Sequence, residues 1–278
     1  MMDNNILTIK PFLQSYMSKR KNTKGHANCA VKYRTSKGFK PIRDSGKINF
    51  HKGISSEDSI QIDEIKTHDK ILIVADGPSA KEILENAYYK TIPENIYVIG
   101  VNRVITWLPI VNAYFTLDPD MTQYVIMRKK KDNVEYFCAV PKDYGTIKAK
   151  SPNHRVPKLL HVHYLHRVAN PNHVVSNNAD VCFGINTNDG YINTGNSSWG
   201  ALNLACHMKA EKVVLLGVDG NNTKNPKVSG GYSRSLSHLT ELFKTYDGNA
   251  NVVNASINSV VNNFRKMNIK DAIKWLSL

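Results

Sequence analysis

The sequence predicts an α/β fold: a mostly parallel sheet with helices on both faces, preceded by a basic N-terminal extension. Three observations predict it. Two short apolar runs, Ile71-Leu72-Ile73-Val74-Ala75 and Val213-Val214-Leu215-Leu216, each lead directly into a glycine-bearing turn. Runs of β-branched residues and leucine of this length are strands buried on both faces, as in a parallel sheet covered by helices. Strand-like and helical stretches then alternate from Lys70 onward, the pattern of strands joined by crossover helices.

Taken in order, residues 1–67 lack sustained periodicity and end in a polar stretch, so they read as an extension with one helix near 9–17. A single domain then fills 68–278. Strands are expected at 70–75, 96–101, 113–117, 134–140, 159–165, 212–218 and 250–254, and helices at 78–90, 119–131, 196–209, 235–246 and 269–277. Pro78 suits the first turn of the first helix, and Gly77 lets a ligand come close to the backbone. Ahead of the third helix, Asn193-Thr194-Gly195-Asn196-Ser197-Ser198 is a set of turn- and cap-forming residues. Gly200, Ala201 and Ala205 give that helix a small-residue face for close approach to the sheet.

The 278 residues can bury a substantial core, and 41% hydrophobic with 22% charged residues is ordinary for a globular protein. No apolar run nears the roughly 20 residues of a membrane span, and the N-terminus lacks the layout of a signal peptide. The four cysteines, Cys29, Cys138, Cys182 and Cys206, show no C-x-x-C spacing. They read as reduced thiols, and the expected location is cytoplasmic, the host cytoplasm for a phage-encoded protein.

Charge is concentrated in one place. Of the net +14, residues 1–52 carry +10, with 12 Lys and Arg against Asp3 and Asp44. An arm of this kind meets a polyanion, DNA being favoured over an anionic membrane surface, or else is a solvated extension.

Ligands of parallel sheets sit at the carboxyl ends of the strands, where both glycine turns fall. The turn Asp76-Gly77-Pro78-Ser79 and the segment 193–198 each open a helix, and a helix start offers N–H groups to a phosphate. Two such starts at one sheet edge predict a crevice for a nucleotide-like molecule.

Four segments, read in order, resemble a known set of proteins. They are Val74-Ala75-Asp76-Gly77-Pro78-Ser79, then Gly100-Val101-Asn102-Arg103, then 113–120, and lastly 193–219, which runs from Asn-Thr-Gly through a small-residue helix to Leu-Leu-Gly-Val-Asp. Their order resembles the bacterial sialyltransferases that modify lipooligosaccharide and the related flagellin-modifying motility accessory factors. The resemblance covers roughly 68–265 and leaves the basic arm outside. It implies a Rossmann-like, metal-independent glycosyltransferase with a nucleotide-sugar donor. The donor would be held by Asp76, Gly77, Pro78, Ser79, Asn102, Arg103, Asn193, Thr194, Gly195, Asn196, Gly217, Asp219 and Gly220. The family's late-helix general base matches His238. Where the family has Asn before Gly-Pro-Ser and before a later Pro, this chain has Asp76 and Asp118.

Sugar transfer needs a base for the acceptor hydroxyl and a means of stabilising the departing phosphate. A histidine, titrating near 6.5, suits the first task, so His238 is the candidate, with Asp118 at a strand's carboxyl end as its rival. The polar segment 221–234 offers Tyr232 and Arg234 to the phosphate as a lid closes. No cofactor beyond the donor is expected. Asp118 and Asp120 leave an Mg or Mn reading open, and His161 and His163 share a strand face that could chelate zinc. Two other functions stay open: a metal-dependent diphosphokinase or nucleotide-processing enzyme, and a non-catalytic nucleic-acid-binding protein. A P-loop ATPase is not expected, because G-x-x-x-x-G-K-[ST] is absent.

Overall fold

The computed structural model describes residues 65–117, 131–141, 162–168, 181–188, 190–193, 195–220 and 238–278, together with the backbone of strands β1 (Lys32–Thr35) and β2 (Gly38–Pro41). These two strands pair antiparallel, Lys32 opposite Pro41, in a segment where the sequence predicted no strand. The remaining strands are β3 (Lys70–Val74), β4 (Tyr97–Val101), β5 (Ala113–Thr116), β6 (Glu135–Pro141), β7 (Val162–Val168), β8 (Tyr191–Asn193), β9 (Lys212–Leu216), β10 (Asn251–Asn254) and β11 (Arg265–Lys266). They form one sheet in the order β11-β10-β9-β3-β4-β5-β6-β7-β8, and every neighbouring pair is parallel. The α-helices are α1 (Glu82–Glu85), α2 (Ser197–His207), α3 (His238–Lys244) and α4 (Ile269–Ser277).

Alternation along the strands builds a core on each face. Ile71 and Ile73 of β3 pack with Trp199, Leu202 and Met208 of the α2 region and with Leu242 and Phe243 of α3. Leu72 and Val74 pack on the other face with Ile83 of α1 and with Ile269, Ile273 and Leu276 of α4. All four β3 residues are fully buried, as their unbroken apolar run predicts. The small-residue face of α2 is used as expected: a Cβ on Gly200 would stand 2.8 Å from the Phe115 ring.

Some elements differ from expectation. β7 starts three residues later than predicted, with Tyr164, Leu165 and His166 as its buried stretch. β8 and β11 were missed, being three and two residues long, too short to carry a pattern. The helix expected over 78–90 is broken into a 3₁₀ turn (Pro78–Lys81), α1, and a second 3₁₀ turn (Tyr88–Thr91). The break falls at Ala87, whose φ of 52° is left-handed and cannot continue a helix. The helix expected near 9–17 lies outside the described residues, as does that at 119–131 except for Lys131. Among the described residues, no helix is long and apolar enough to cross a membrane.

From β3 the chain steps outward strand by strand to β8. It then returns through α2, which packs on β8, β5, β4 and β3, and places β9 on the other side of β3. The order therefore reverses between β3 and β9. Ligands of parallel sheets bind outside the carboxyl ends of the strands at a switch point of this kind.

Candidate functional site

The turns after β3 and β9 meet at this switch point and are fastened to each other. Ala75 N–H donates to Leu216 O (2.7 Å) and Gly77 N–H to Gly217 O (3.0 Å). A Cβ on Gly77 would lie 2.3 Å from Gly217 O and 2.2 Å from Asp219 Oδ2. Gly77 thus admits the Gly217 backbone, rather than the ligand that the sequence reading placed there. Gly217 has φ +76°, and a Cβ on it would lie 2.2 Å from Ala75 O. Gly220 has φ +69° and is closed in by Val260.

The helix start after β3 is also filled. Ser79 N–H donates to Asp219 Oδ2 (3.1 Å), and Ser79 Oγ lies 2.9 Å from the same oxygen. Ala80 N–H turns back to Gly77 O, and Pro78 has no N–H to offer. The N–H groups expected to wait for a phosphate are therefore engaged, and the anion at this helix start is Asp219 itself. A third residue completes the fastening. Ser256, just past β10, accepts from Gly217 N–H (2.9 Å) and Val218 N–H (3.2 Å), and its Oγ lies 2.8 Å from Ser79 Oγ. With two donors upon it, Ser256 donates its hydroxyl hydrogen to Ser79 Oγ, which also accepts Gly217 N–H (3.2 Å) and donates its own hydrogen to Asp219 Oδ2. Burial raises the Asp219 pKa, and the Ser79 hydrogen bonds oppose the rise.

The turn after β4 is more open. Asn102 takes a left-handed φ of 55°, a conformation that asparagine tolerates. Its Oδ1 accepts the Thr116 hydroxyl (2.6 Å), which leaves the Nδ2 hydrogens for a ligand. Trp107 Nε1–H donates to Asp76 Oδ1 (3.1 Å). Burial pushes the Asp76 carboxyl up to about 6, against the opposing pull of the Trp107 hydrogen bond and the Arg103 charge. Asp76, Asn102 and Arg103 are half-buried at the ends of two paired strands, in register at Val74 and Gly100.

Around β8 and α2 the predicted residues divide. Asn193 is 5% exposed and its carboxamide is fully committed. Nδ2 donates to Phe183 O (3.0 Å) and Gly184 O (2.9 Å), and Oδ1 accepts from Asn186 Nδ2 (3.0 Å). Asn203 Oδ1, buried on α2, takes the Asn193 N–H (2.9 Å) and the Asn186 N–H (3.2 Å). Asn193 thereby clasps a loop, a use that leaves its side chain without donors for a substrate. Asn196 caps α2 by accepting Ser198 N–H (2.8 Å), as its position predicts. His238 Nε2 lies 3.1 Å from Gly195 O. A carbonyl only accepts, so Nε2 carries the hydrogen and Nδ1 is the basic atom of the neutral ring. The start of α3 also reaches the β9 turn, with Leu239 Cδ1 3.4 Å from where a Gly220 Cβ would sit.

Asp118, Thr194, Tyr232 and Arg234 lie outside the described residues, as do Asp120 and His161. His163 stacks on Phe137 with ring centroids 5.0 Å apart. Sequence reasoning missed Trp107, Thr116, Ser256 and Arg167. Thr116, Ser256 and Arg167 stand at or just past the carboxyl ends of β5, β10 and β7, so the strand-end rule reaches them once the strand bounds are correct. Arg167 Nη1 donates to Leu117 O (3.2 Å), and the misplaced β7 boundary hid it. Trp107 carries no sequence signal.

No protein-family model matches the chain, and no curated protein matches it. Among solved structures, it is similar to the MAf glycosyltransferase from Magnetospirillum magneticum AMB-1, with 14% identity and a TM-score of 0.46 over 76% of this chain and 35% of that one. The chain thus spans about a third of that protein's length. It is also similar to the sialyltransferase CstII from Campylobacter jejuni, solved in complex with the substrate analogue CMP-3FNeuAc, with 14% identity, a TM-score of 0.37 and coverage of 72% and 86%. An α-2,3-sialyltransferase from Campylobacter jejuni in apo form gives 14% identity, a TM-score of 0.34 and coverage of 79% and 83%. These belong to the two groups that the order of motifs resembles. The likeness is one of fold, and the residues' roles rest on their own geometry.

Proposed function

We propose that this protein is a glycosyltransferase that moves a sugar from a nucleotide-activated donor to a hydroxyl acceptor. The observation that carries the reading is the carboxyl edge at the β3–β9 switch point. Asp76, Asn102 and Arg103 line one side of that edge. On the other, His238 is held to Gly195 by one ring nitrogen, with the second left basic. Nδ1 of His238 takes the proton of the acceptor hydroxyl, and the oxygen attacks the anomeric carbon. The bond from that carbon to the phosphate oxygen breaks, and the phosphate leaves with the electron pair. Donors from Asn102 and Arg103, with Tyr232 and Arg234 from the segment before α3, stabilise that departing charge. Asp118 is the alternative base.

The basic arm gives the acceptor its finer reading, a modified base in DNA. Transfer to duplex DNA would then fall steeply with salt, whereas transfer to a free sugar acceptor would not.

The test is a thermal-shift screen against CMP-, UDP- and GDP-sugars, ATP and NAD, with and without EDTA. Stabilisation by one nucleotide-sugar, unchanged by EDTA, supports the transferase and names its donor. Stabilisation by ATP only with a divalent cation would replace it with phosphotransfer at Asp118 and Asp120. No shift from any of them would favour nucleic-acid binding.

A further inference from the structure

We propose that the donor's phosphate sits at the turn after β4, not at the helix start after β3, and that Asn102, Arg103 and a protonated Asp76 donate to it together. The inference rests on the reading of the protein as a nucleotide-sugar transferase and assigns the polarity of that site.

The usual phosphate seat of such a sheet is the helix that follows its first strand. Here that start is a 3₁₀ turn of four residues whose N–H groups are spent on Asp219 and Gly77. A phosphate placed there would meet a buried carboxylate in its first contact. The geometry moves it one strand along.

The β4 turn leaves three polar groups over. Thr116 takes Oδ1 of Asn102, so the group that remains is the NH₂. Trp107 takes Oδ1 of Asp76, so Oδ2 remains. The Arg103 guanidinium forms no ion pair within 4.0 Å among the described residues. Two of these three groups are donors, and the third becomes one when it carries a proton.

Arg103 faces Asp76 from the segment after β4, along with the neutral Trp107 indole. On the β9 side, the Asp219 carboxylate is bonded to Ser79 beside Gly77, and Ser79 and Ser256 are neutral. An ionised Asp76 and a phosphate would therefore compete for one guanidinium. Burial already favours the neutral acid at Asp76, and an arriving anion pushes the same way. Protonation turns an acceptor that repels phosphate into a donor that binds it. A hydroxyl in this place would reverse the outcome, since it needs the ionised carboxylate as acceptor.

The two cases give opposite pH slopes. The probes are UDP-glucose and CMP-N-acetylneuraminate, whose phosphate groups stay fully ionised from weakly acidic to weakly basic pH. Their dissociation constants would be measured by calorimetry from about pH 5.5 to about pH 8.5 on wild type and Asp76→Asn, an isosteric change that always presents an N–H donor. The seat predicts wild-type affinity falling about tenfold per pH unit above the carboxyl's pKa, with Asp76→Asn flat across the range and as tight as wild type at low pH. Wild-type affinity that is flat, or that rises with pH, overturns the seat. So does Asp76→Asn that keeps the wild-type slope, which would then belong to another group, or that binds weakly at low pH. Each of these leaves the transferase reading standing. No binding of either probe at any pH, in either protein, overturns the seat and the reading beneath it together.

Discussion

Asp76 is a half-buried carboxyl whose ionisation works against the fold. Its pKa rises from 3.8 in the ordinary state to about 6 in the folded protein, so between those values the folded chain holds a proton that the unfolded chain has released. Stability contributed by this group is complete below about pH 4 and is lost as pH rises through about 6, an effect of up to about 3 kcal/mol. Asp76→Asn removes the loss. Urea unfolding should show the variant gaining on wild type by about 2–3 kcal/mol between about pH 4 and about pH 7.5. A difference that does not change with pH would contradict the burial of this group. The neighbouring Gly77 makes a steric prediction instead. Its φ of −75° suits any residue, yet a Cβ would overlap both Asp219 and Gly217. Gly77→Ala should therefore cost about 3 kcal/mol through overpacking alone. Gly217→Ala should cost more, since its left-handed φ adds strain of about 1–3 kcal/mol. Urea midpoints check both. In the sequence, Gly77-Pro78-Ser79 is visible as a close approach of some kind. What approaches is not visible, because a missing side chain does not name the group that fills its space.

Among the elements, Ser256 joins three. It lies past β10, holds two N–H groups of the β9 turn and reaches Ser79 after β3. Ser256→Ala would leave the buried Val218 N–H without its acceptor and Gly217 N–H with only the longer bond to Ser79 Oγ (3.2 Å), at a cost of about 1–2 kcal/mol. Thermal unfolding measures that loss, and a variant within about 0.5 kcal/mol of wild type would sink the fastening. Asn203 does the same for the loop clasped by Asn193. Asn203→Ala should speed amide exchange at Asn186 and Asn193, whose N–H groups it accepts, while exchange in β3 and β9 stays slow. How legible an element is depends on its length and its ends. The bounds of α4 were readable, since its buried Ile269, Ala272, Ile273 and Leu276 repeat at helical spacing behind the Asn268 cap. α2 was readable to within two residues at its C-terminal end, for the same reasons. The break at Ala87 was not, because alanine is the best helix former and gives no local sign of a left-handed turn. β8 and β11 hold too few residues for any period to show, and they form only because the sheet beside them offers an edge.

At the scale of the molecule, the candidate site depends on the reversal of strand order between β3 and β9. Everything assigned to the site follows from it: the joined glycine turns, the donors after β4, and the histidine at the start of α3. The sequence displayed both core strands and the turns that follow them, which was enough to predict a parallel sheet and a crevice at its carboxyl edge. It did not show that the two turns would grip each other, because that contact spans about half the chain and depends on strand order, which no local pattern encodes. Hence the fold was read well and the division of labour among site residues less well. Asn193 and Ser79, expected at the ligand, stabilise the frame, while Thr116 and Trp107 orient the groups that remain. The most direct measurement of the central claim is hydrogen–deuterium exchange with and without the nucleotide-sugar that stabilises the protein best. The expected result is slowed exchange in the segments 75–80, 100–107, 195–200 and 217–220, on both sides of the switch point, with little change along α4 and β11. Slowing confined to other segments, or none at saturating ligand, would contradict it.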